Sequence, residues 1–175
     1  MTDQVLSEPS GAHSIAAVRE SDLSDLLPLM RAYCDFYGVA PSDHSLLELS
    51  RTLIVDPEVE GVQLIARDAR AEAVAFATVF WSWSTLSASR IGVMHDLYVN
   101  PDARGLGLAE RLIEACLDRC EARGAARLEW QTAPENLRAQ AVYDRVGGIR
   151  EGWLNFAIPL PRARGAHKQG SSGGR

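Results

Sequence analysis

Apolar residues recur along this chain at two spacings, and the switches between them divide it into elements. Between residues 106 and 123, Leu108, Ala109, Leu112, Ile113, Cys116, Leu117 and Cys120 return every three or four positions, with Glu110, Arg111, Glu114, Asp118 and Arg119 between them. That is the stripe of an amphipathic helix with one buried face, and Gly124 caps its end. Leu23, Leu26, Leu27 and Met30 mark a first helix, started by Ser21 and running to about Phe36 before Gly38. Leu46, Leu47, Leu49 and Leu53 mark a second, opened by Ser42 or Asp43. A short helix capped by Asn136 carries Ala139, Val142, Tyr143 and Val146, and Gly147 closes it. The runs 15–19, 62–67, 73–81, 91–99 and 127–131 are short and rich in β-branched and aromatic residues, which predicts strands. Residues 149–151 and 153–159 are expected to complete the sheet. The order is mixed α/β, with one β-α-β crossover between the fourth and fifth strands.

Both ends lack this patterning. Residues 1–13 are polar and aperiodic, and residues 161–175 are basic and rich in Gly and Ser. Neither composition buries enough apolar area to offset chain entropy, so both are expected to be disordered tails around one domain over residues 14–160. A chain of 175 residues suits a single domain. Its net charge of −5 disfavours a general nucleic-acid binder and suits a cationic substrate better. Cys34, Cys116 and Cys120 form no C-x-x-C pair, and His13, His44, His95 and His167 show no ligand spacing. Buried reduced thiols and no metal are the expectation. The N-terminus has no apolar signal-peptide core, and the longest apolar run, 73–81, is too short to span a bilayer. A cytoplasmic protein without a membrane partner is expected.

The densest chemistry lies at Arg104, Gly105, Leu106, Gly107, Leu108 and Ala109, between a strand and the start of the longest helix. The first N–H groups of a helix have no partner within it, and the helix dipole adds partial positive charge there. A phosphate or pyrophosphate fits that place. Gly105 and Gly107 carry no Cβ to keep it from the backbone. The stretch is not a Walker A loop, which needs Gly-Lys-Ser/Thr. A dinucleotide fingerprint needs a third small residue where Glu110 stands.

Arg104-Gly105-Leu106-Gly107-Leu108-Ala109, following Leu97-Tyr98-Val99-Asn100-Pro101, resembles motif A of the GNAT superfamily of acetyl-CoA-dependent N-acetyltransferases. Asn136-Leu-Arg-Ala139-Gln-Ala-Val-Tyr143-Asp-Arg-Val-Gly147 resembles the motif that follows it in that family, at fitting spacing. Gly148 departs from the pattern, standing where the family usually has an aromatic residue. The resemblance implies a twisted, mostly antiparallel sheet of roughly six to seven strands with about four helices. Its fourth and fifth strands splay, and the pantetheine arm enters the gap. It also implies transfer of an acetyl group from acetyl-CoA, as co-substrate, to a primary amine of a small molecule, polyamine-like or amino-acid-like, by direct attack in a ternary complex. A non-catalytic acetyl-CoA-binding module and a protein or peptide N-acetyltransferase are the alternatives, and a homodimer is compatible with all three.

Carried onto this chain, the resemblance assigns the pyrophosphate to the N–H groups of residues 105–109, with Arg104 adding charge. It assigns the thioester oxygen to the backbone N–H of Leu97, and the pantetheine amides to the strand continuing through Tyr98 and Val99. Asn136 serves as helix cap, as a contact of the cofactor arm, or as both. Tyr143 stands where relatives place a proton donor to the departing thiolate. Full transfer from an unperturbed tyrosine to a thiolate is uphill by roughly 2 kcal/mol, so a hydrogen bond to sulfur explains the role as well. His95 and Asp96 are the candidate bases. Strand alternation sends them to opposite faces, His95 has the better intrinsic pKa, and Asp96 orients or replaces it. For the acceptor, Tyr33, Phe36 and Tyr37, near the acids Asp35 and Asp43, together with Trp81 and Trp83, could hold a cationic amine.

Overall fold

Strands with two apolar faces need a layer on each side, and the helices supply those layers. In the computed structural model, which describes residues 13–158 and 160, the elements run β1 (Ser14–Ala17), α1 (Leu23–Phe36), α2 (Asp43–Val55), β2 (Gly61–Arg67), β3 (Ala73–Ser84), β4 (Ser89–Val99), α3 (Leu108–Ala122), β5 (Leu128–Trp130) and α4 (Leu137–Arg145). They form a mixed α/β sheet in the order β1-β2-β3-β4-β5. β1 to β4 are antiparallel neighbours, whereas β4 and β5 are parallel, joined by the α3 crossover. On one face Ala75, Ala77, Val79 and Met94 pack against Leu108, Leu112, Ile113 and Cys116 of α3. On the other, Ile65 and Phe76 pack against Leu26, Met30 and Cys34 of α1 and Leu46 of α2.

Local chemistry sets where the helices begin. The Ser42 hydroxyl accepts the Ser45 N–H at 3.1 Å and caps α2. α1 begins later than Ser21, because Glu20–Asp22 form a 3-10 turn in which the Asp22 carboxylate accepts the Arg19 N–H at 2.9 Å. Arg67 then ties that turn to the sheet through Asp22 and Asp25, both at 2.8 Å. α3 likewise starts at Leu108 rather than Leu106, because Gly107 has a left-handed backbone (φ 71°) that a right-handed helix cannot include.

Two features of the sheet differ from the sequence expectation. The β3–β4 ladder slips by one position: Thr78 pairs with Asp96 and Val79 with Met94, so His95 is an extra residue, a β-bulge. The second concerns the C-terminal segment. Residues 149–158 are exposed, without regular secondary structure, and do not join the sheet, so five strands are found among the described residues. Their side chains lie beside β5, through Gln131–Asn155 (2.6 and 2.8 Å) and Arg127–Glu151 (3.4 Å). A strand needs a backbone partner as well as alternation, and β5 offers only three residues of edge. Of the expected tails at residues 1–13 and 161–175, all but His13 lie outside the described residues. No helix among the described residues is long and apolar enough to cross a membrane.

Candidate active site

The sheet splits at the end of β5. β4 pairs with it only over Gly92–Met94, then continues to Val99 paired with β3 on its other side. Backbone N–H groups alternate sides along a strand. The Gly92 N–H points to the β5 side, where it meets the Arg127 carbonyl at 3.0 Å. The Asn100 N–H points to β3, where it meets the Val74 carbonyl at 2.8 Å. Alternation from Asn100 sends the Tyr98 N–H toward β3 and those of Leu97 and Val99 into the split. The bulge at His95 reconciles the two ends, because one extra residue reverses the parity.

The same bulge sets the side chains. Leu97 and Val99 pack with the α3 face, while Tyr98 packs with α1 and α2. Asp96 therefore lies on the α1 face, opposite buried Thr78. His95 rests on the Phe80 ring (centroids 5.2 Å, near-perpendicular), and Phe80 alternates onto that face too. His95 and Asp96 thus share one face, correcting the expectation from plain alternation. His95 is exposed and Asp96 half-buried.

An aromatic cluster centred on Tyr33 lies on the face that carries Asp96. The Tyr33 hydroxyl donates to the His95 carbonyl at 3.1 Å. Its ring meets Tyr37, Phe76 and Tyr98 edge-on at 5.0, 5.9 and 6.5 Å. Phe36 packs on Tyr37 at 5.0 Å and is largely exposed. Burial pushes the Asp96 carboxyl above the usual carboxylate range, opposed by Thr78, Tyr33 and His95. Burial, then the Asp96 charge and Tyr37, raise the Tyr33 phenol. The Cys34 thiol is also held up, by burial first and Asp96 second, which disfavours its thiolate. Cys116 and Cys120 are buried under α3 and pushed up to about 12 and about 11, both mainly by burial.

Tyr143 approaches the split from α4. Its ring packs on Trp130, the last residue of β5, at 5.3 Å. Burial raises its pKa and so does Tyr37, while a hydrogen bond with Thr132 lowers it. Trp130 also accounts for Gly148: a Cβ there would sit 3.0 Å from the Trp130 indole, which fills the space an aromatic residue would take. The Asn136 side chain accepts the Ala139 N–H at 3.2 Å, so it caps α4. Glu110 and Arg145 join the first turn of α3 to the end of α4 at 2.5 Å.

The loop between β4 and α3 leaves its backbone open. Gly105 and Gly107 both have positive φ (82° and 71°), and nothing lies within 4 Å of where their Cβ atoms would be. The first helical bond of α3 is Arg111 N–H to Gly107 O at 3.1 Å, so the N–H groups of residues 105–109 precede any helical acceptor. Arg104 donates from Nε to the Val99 carbonyl at 2.8 Å, which sets its guanidinium beside the split. Open backbone donors, a basic side chain and a gap in the sheet fit a diphosphate with an extended arm. Trp81 and Trp83 stand apart. Trp81 packs with the α3 face and donates to the Pro57 carbonyl at 2.8 Å, while Trp83 lies under Arg90 toward the hairpin end.

Thr78, Gln63 and Thr132 are neighbours of this site that motif reading misses. Thr78 and Gln63 are nonetheless visible as polar residues within apolar strands.

A family model described as acetyltransferase (GNAT) family matches residues 26–148. An uncharacterised N-acetyltransferase of Bacillus subtilis (strain 168) is 28% identical over 149 residues, covering 85% of this chain and 98% of its own length. The thialysine N-epsilon-acetyltransferase of Caenorhabditis elegans is 26% identical over 148 residues, covering 82% of this chain and 90% of its own length. The solved structure of an aminoglycoside N-acetyltransferase in complex with CoA shares the fold at a TM-score of 0.76 and 18% identity, over 88% of this chain and 99% of that one. With the split sheet and the open glycine loop, these matches place the chain in the GNAT family of acetyltransferases, enzymes that take their acyl group from acetyl-CoA.

Proposed function

We propose that this enzyme acetylates a primary amine of a small cationic molecule, amino-acid-like or polyamine-like, by direct attack on the thioester. The observation that carries this is the Asp96 carboxylate, set by the bulge beside the split, with Tyr33 against it and Tyr37 on the Tyr33 ring. A carboxylate among aromatic faces attracts an ammonium group by charge and by cation–π contact. The named action of the worm relative on an ε-amine supports the same acceptor class.

Acetyl-CoA, when bound, supplies the acyl group as a thioester; the protein's residues do the rest. The N–H groups of residues 105–109 and Arg104 hold the diphosphate, and the β4 edge at Leu97 and Val99 holds the arm. An alkyl ammonium, with a pKa near ~10, must lose a proton before it attacks. Asp96 takes that proton, directly or through one water, and exposed His95 passes it to solvent. The upward push on Asp96 makes it a stronger base than an ordinary carboxylate. As the amine nitrogen bonds to the acyl carbon and the carbon–sulfur bond breaks, the Leu97 N–H stabilises the oxygen and the Tyr143 hydroxyl stabilises the sulfur. The products are an amide, the free thiol and one released proton. Tyr33, Phe36 and Tyr37 form the acceptor wall; Trp81 and Trp83 have no part in it.

The test is thiol release from acetyl-CoA with a panel of diamines, polyamines, amino acids, aminoglycosides and peptides. Small cationic amines are expected to give turnover, and Asp96→Asn to lower kcat/KM by about 10²- to 10⁴-fold. Acetyl-CoA binding without release for every amine would identify a non-catalytic module. Release with peptides alone would identify a peptide acetyltransferase.

A further inference from the structure

We propose that Gln63 and Thr78 are positioning residues for this reaction, forming with Asp96 a polar row across β2, β3 and β4 that aims a hydroxyl proton at the Asp96 carboxylate. The proposal rests on the reading of Asp96 as the base.

The row follows from the register. Gln63 pairs with Thr78 across β2 and β3, and Thr78 pairs with Asp96 across β3 and β4. All three lie on the α1–α2 face, where Ile65 and Phe76 are apolar core residues. Gln63 is 2% exposed and Thr78 fully buried. A buried polar side chain is tolerated when its hydrogen bonds are made.

Here the bonds have a direction. The Gln63 amide nitrogen donates to the Thr78 hydroxyl oxygen at 3.1 Å. A threonine hydroxyl has one proton to give, and this bond occupies it as an acceptor. The register sets Asp96 directly across the strand from Thr78, so we assign the hydroxyl proton to its carboxylate, in line with Thr78 opposing the upward push on that carboxyl. Donation to the charged form favours the anion, opposing the desolvation that burial imposes. The Gln63 carbonyl oxygen is buried without a partner among the described residues. A side chain kept only for packing would not carry that cost; an apolar residue would fill the place.

The titratable groups acting on Asp96 are few. Tyr33 faces it from α1 and His95 from β4, and Cys34 of α1 is close enough to respond to its charge. β3 contributes only Thr78, which does not titrate. A change at Thr78 therefore alters one hydrogen bond to Asp96 and no charge.

The experiment compares wild type, Thr78→Val, Thr78→Ser and Gln63→Met in the full chain. Two readouts are used: the pH dependence of kcat/KM, and the Asp96 carboxyl pKa followed by ¹³C NMR in the free protein. Losing a donor to the carboxylate raises its pKa, so the acid limb must move to higher pH. Thr78→Val is expected to move it by about one to two pH units, the effect of one hydrogen bond to a charged group. Thr78→Ser keeps the donor and should restore the wild-type limb. Gln63→Met should move it the same way by less, because the hydroxyl loses its direction rather than its proton. KM for acetyl-CoA should not change. An Asp96 pKa that stays put in Thr78→Val, with activity falling equally at every pH, overturns the row. The NMR readout needs no acceptor and remains available for Gln63→Met should Thr78→Val not fold. Failure of the base assignment looks different: Asp96→Asn would then keep both its rate and its acid limb, whatever Thr78 does.

Discussion

Tyr143→Phe removes one oxygen and leaves the ring. The ring packs on Trp130 at 5.3 Å, a contact phenylalanine keeps, so the fold and the α4 position should survive. The lost group is a hydroxyl at the split, near Thr132 and Tyr37. Burial, then Tyr37, raise its pKa, so it stays protonated through the ordinary assay range and acts as a donor. Complete transfer to a thiolate is already uphill by roughly 2 kcal/mol for an unperturbed pair, and the upward shift makes it steeper. The role left is a hydrogen bond to charge developing on sulfur, worth about 1.5–3 kcal/mol. That converts to a fall of about 10- to 150-fold in kcat. Steady-state thiol release gives kcat, and calorimetry gives acetyl-CoA affinity, which should stay within about twofold because the bond forms only as sulfur gains charge. Undiminished turnover would remove Tyr143 from the chemistry. An affinity loss matching the rate loss would make it a binding residue instead. A basic limb that disappears in the variant would show a titrating tyrosine, contrary to this reasoning.

Two glycines make separate predictions. A Cβ at Gly92 would lie 2.4 Å from Cys120 Sγ, 3.1 Å from Val79 Cγ1 and 3.2 Å from Leu128 Cδ1. Gly92→Ala should therefore cost about 1–3 kcal/mol in denaturant unfolding, and adding Cys120→Ala should recover part of it. Gly107 has open space but a left-handed backbone. Gly107→Ala should cost about 1–2 kcal/mol of backbone strain, and weaken acetyl-CoA binding by roughly tenfold in calorimetry, because its methyl group enters the anion's space.

The elements were legible in the sequence wherever burial repeats with a period. The α3 stripe has one reading, because Leu112, Ile113, Cys116 and Cys120 must share a face and all are buried. The two glycines before that helix were singled out for their missing Cβ; their positive φ is a feature of the fold that the sequence reading did not include. Trp81 and Trp83 misled because aromatic character does not reveal how far a hairpin extends. β3 runs to Ser84, so both residues lie beyond the split, opposite Gly92 and Arg90. The strands expected after residue 148 have the right alternation, but alternation cannot supply a partner edge. Gly148 is explained by Trp130, eighteen positions earlier, a contact no local pattern encodes.

The bulge was the least legible feature and the most consequential one. Apolar and polar residues around His95 read the same whether the strand is regular or carries one extra residue. Alternation counted from Gly92, whose N–H faces β5, would turn the N–H groups of Asp96 and Tyr98 into the split and that of Leu97 toward β3. The side chains would invert as well. Asp96 and Tyr98 would occupy the face on which Met94 requires neighbours of the α3 core, and Leu97 would replace the carboxylate among the rings. On the proposed function, one inserted residue meets two requirements of acyl transfer together: a backbone donor facing the opening and a carboxylate facing the acceptor side. The single displacement fixes their separation, since both hang from adjacent residues of one strand. On that proposal, a substitution at His95 that kept the bulge would alter proton exit alone, whereas loss of the bulge would remove donor and base in the same step.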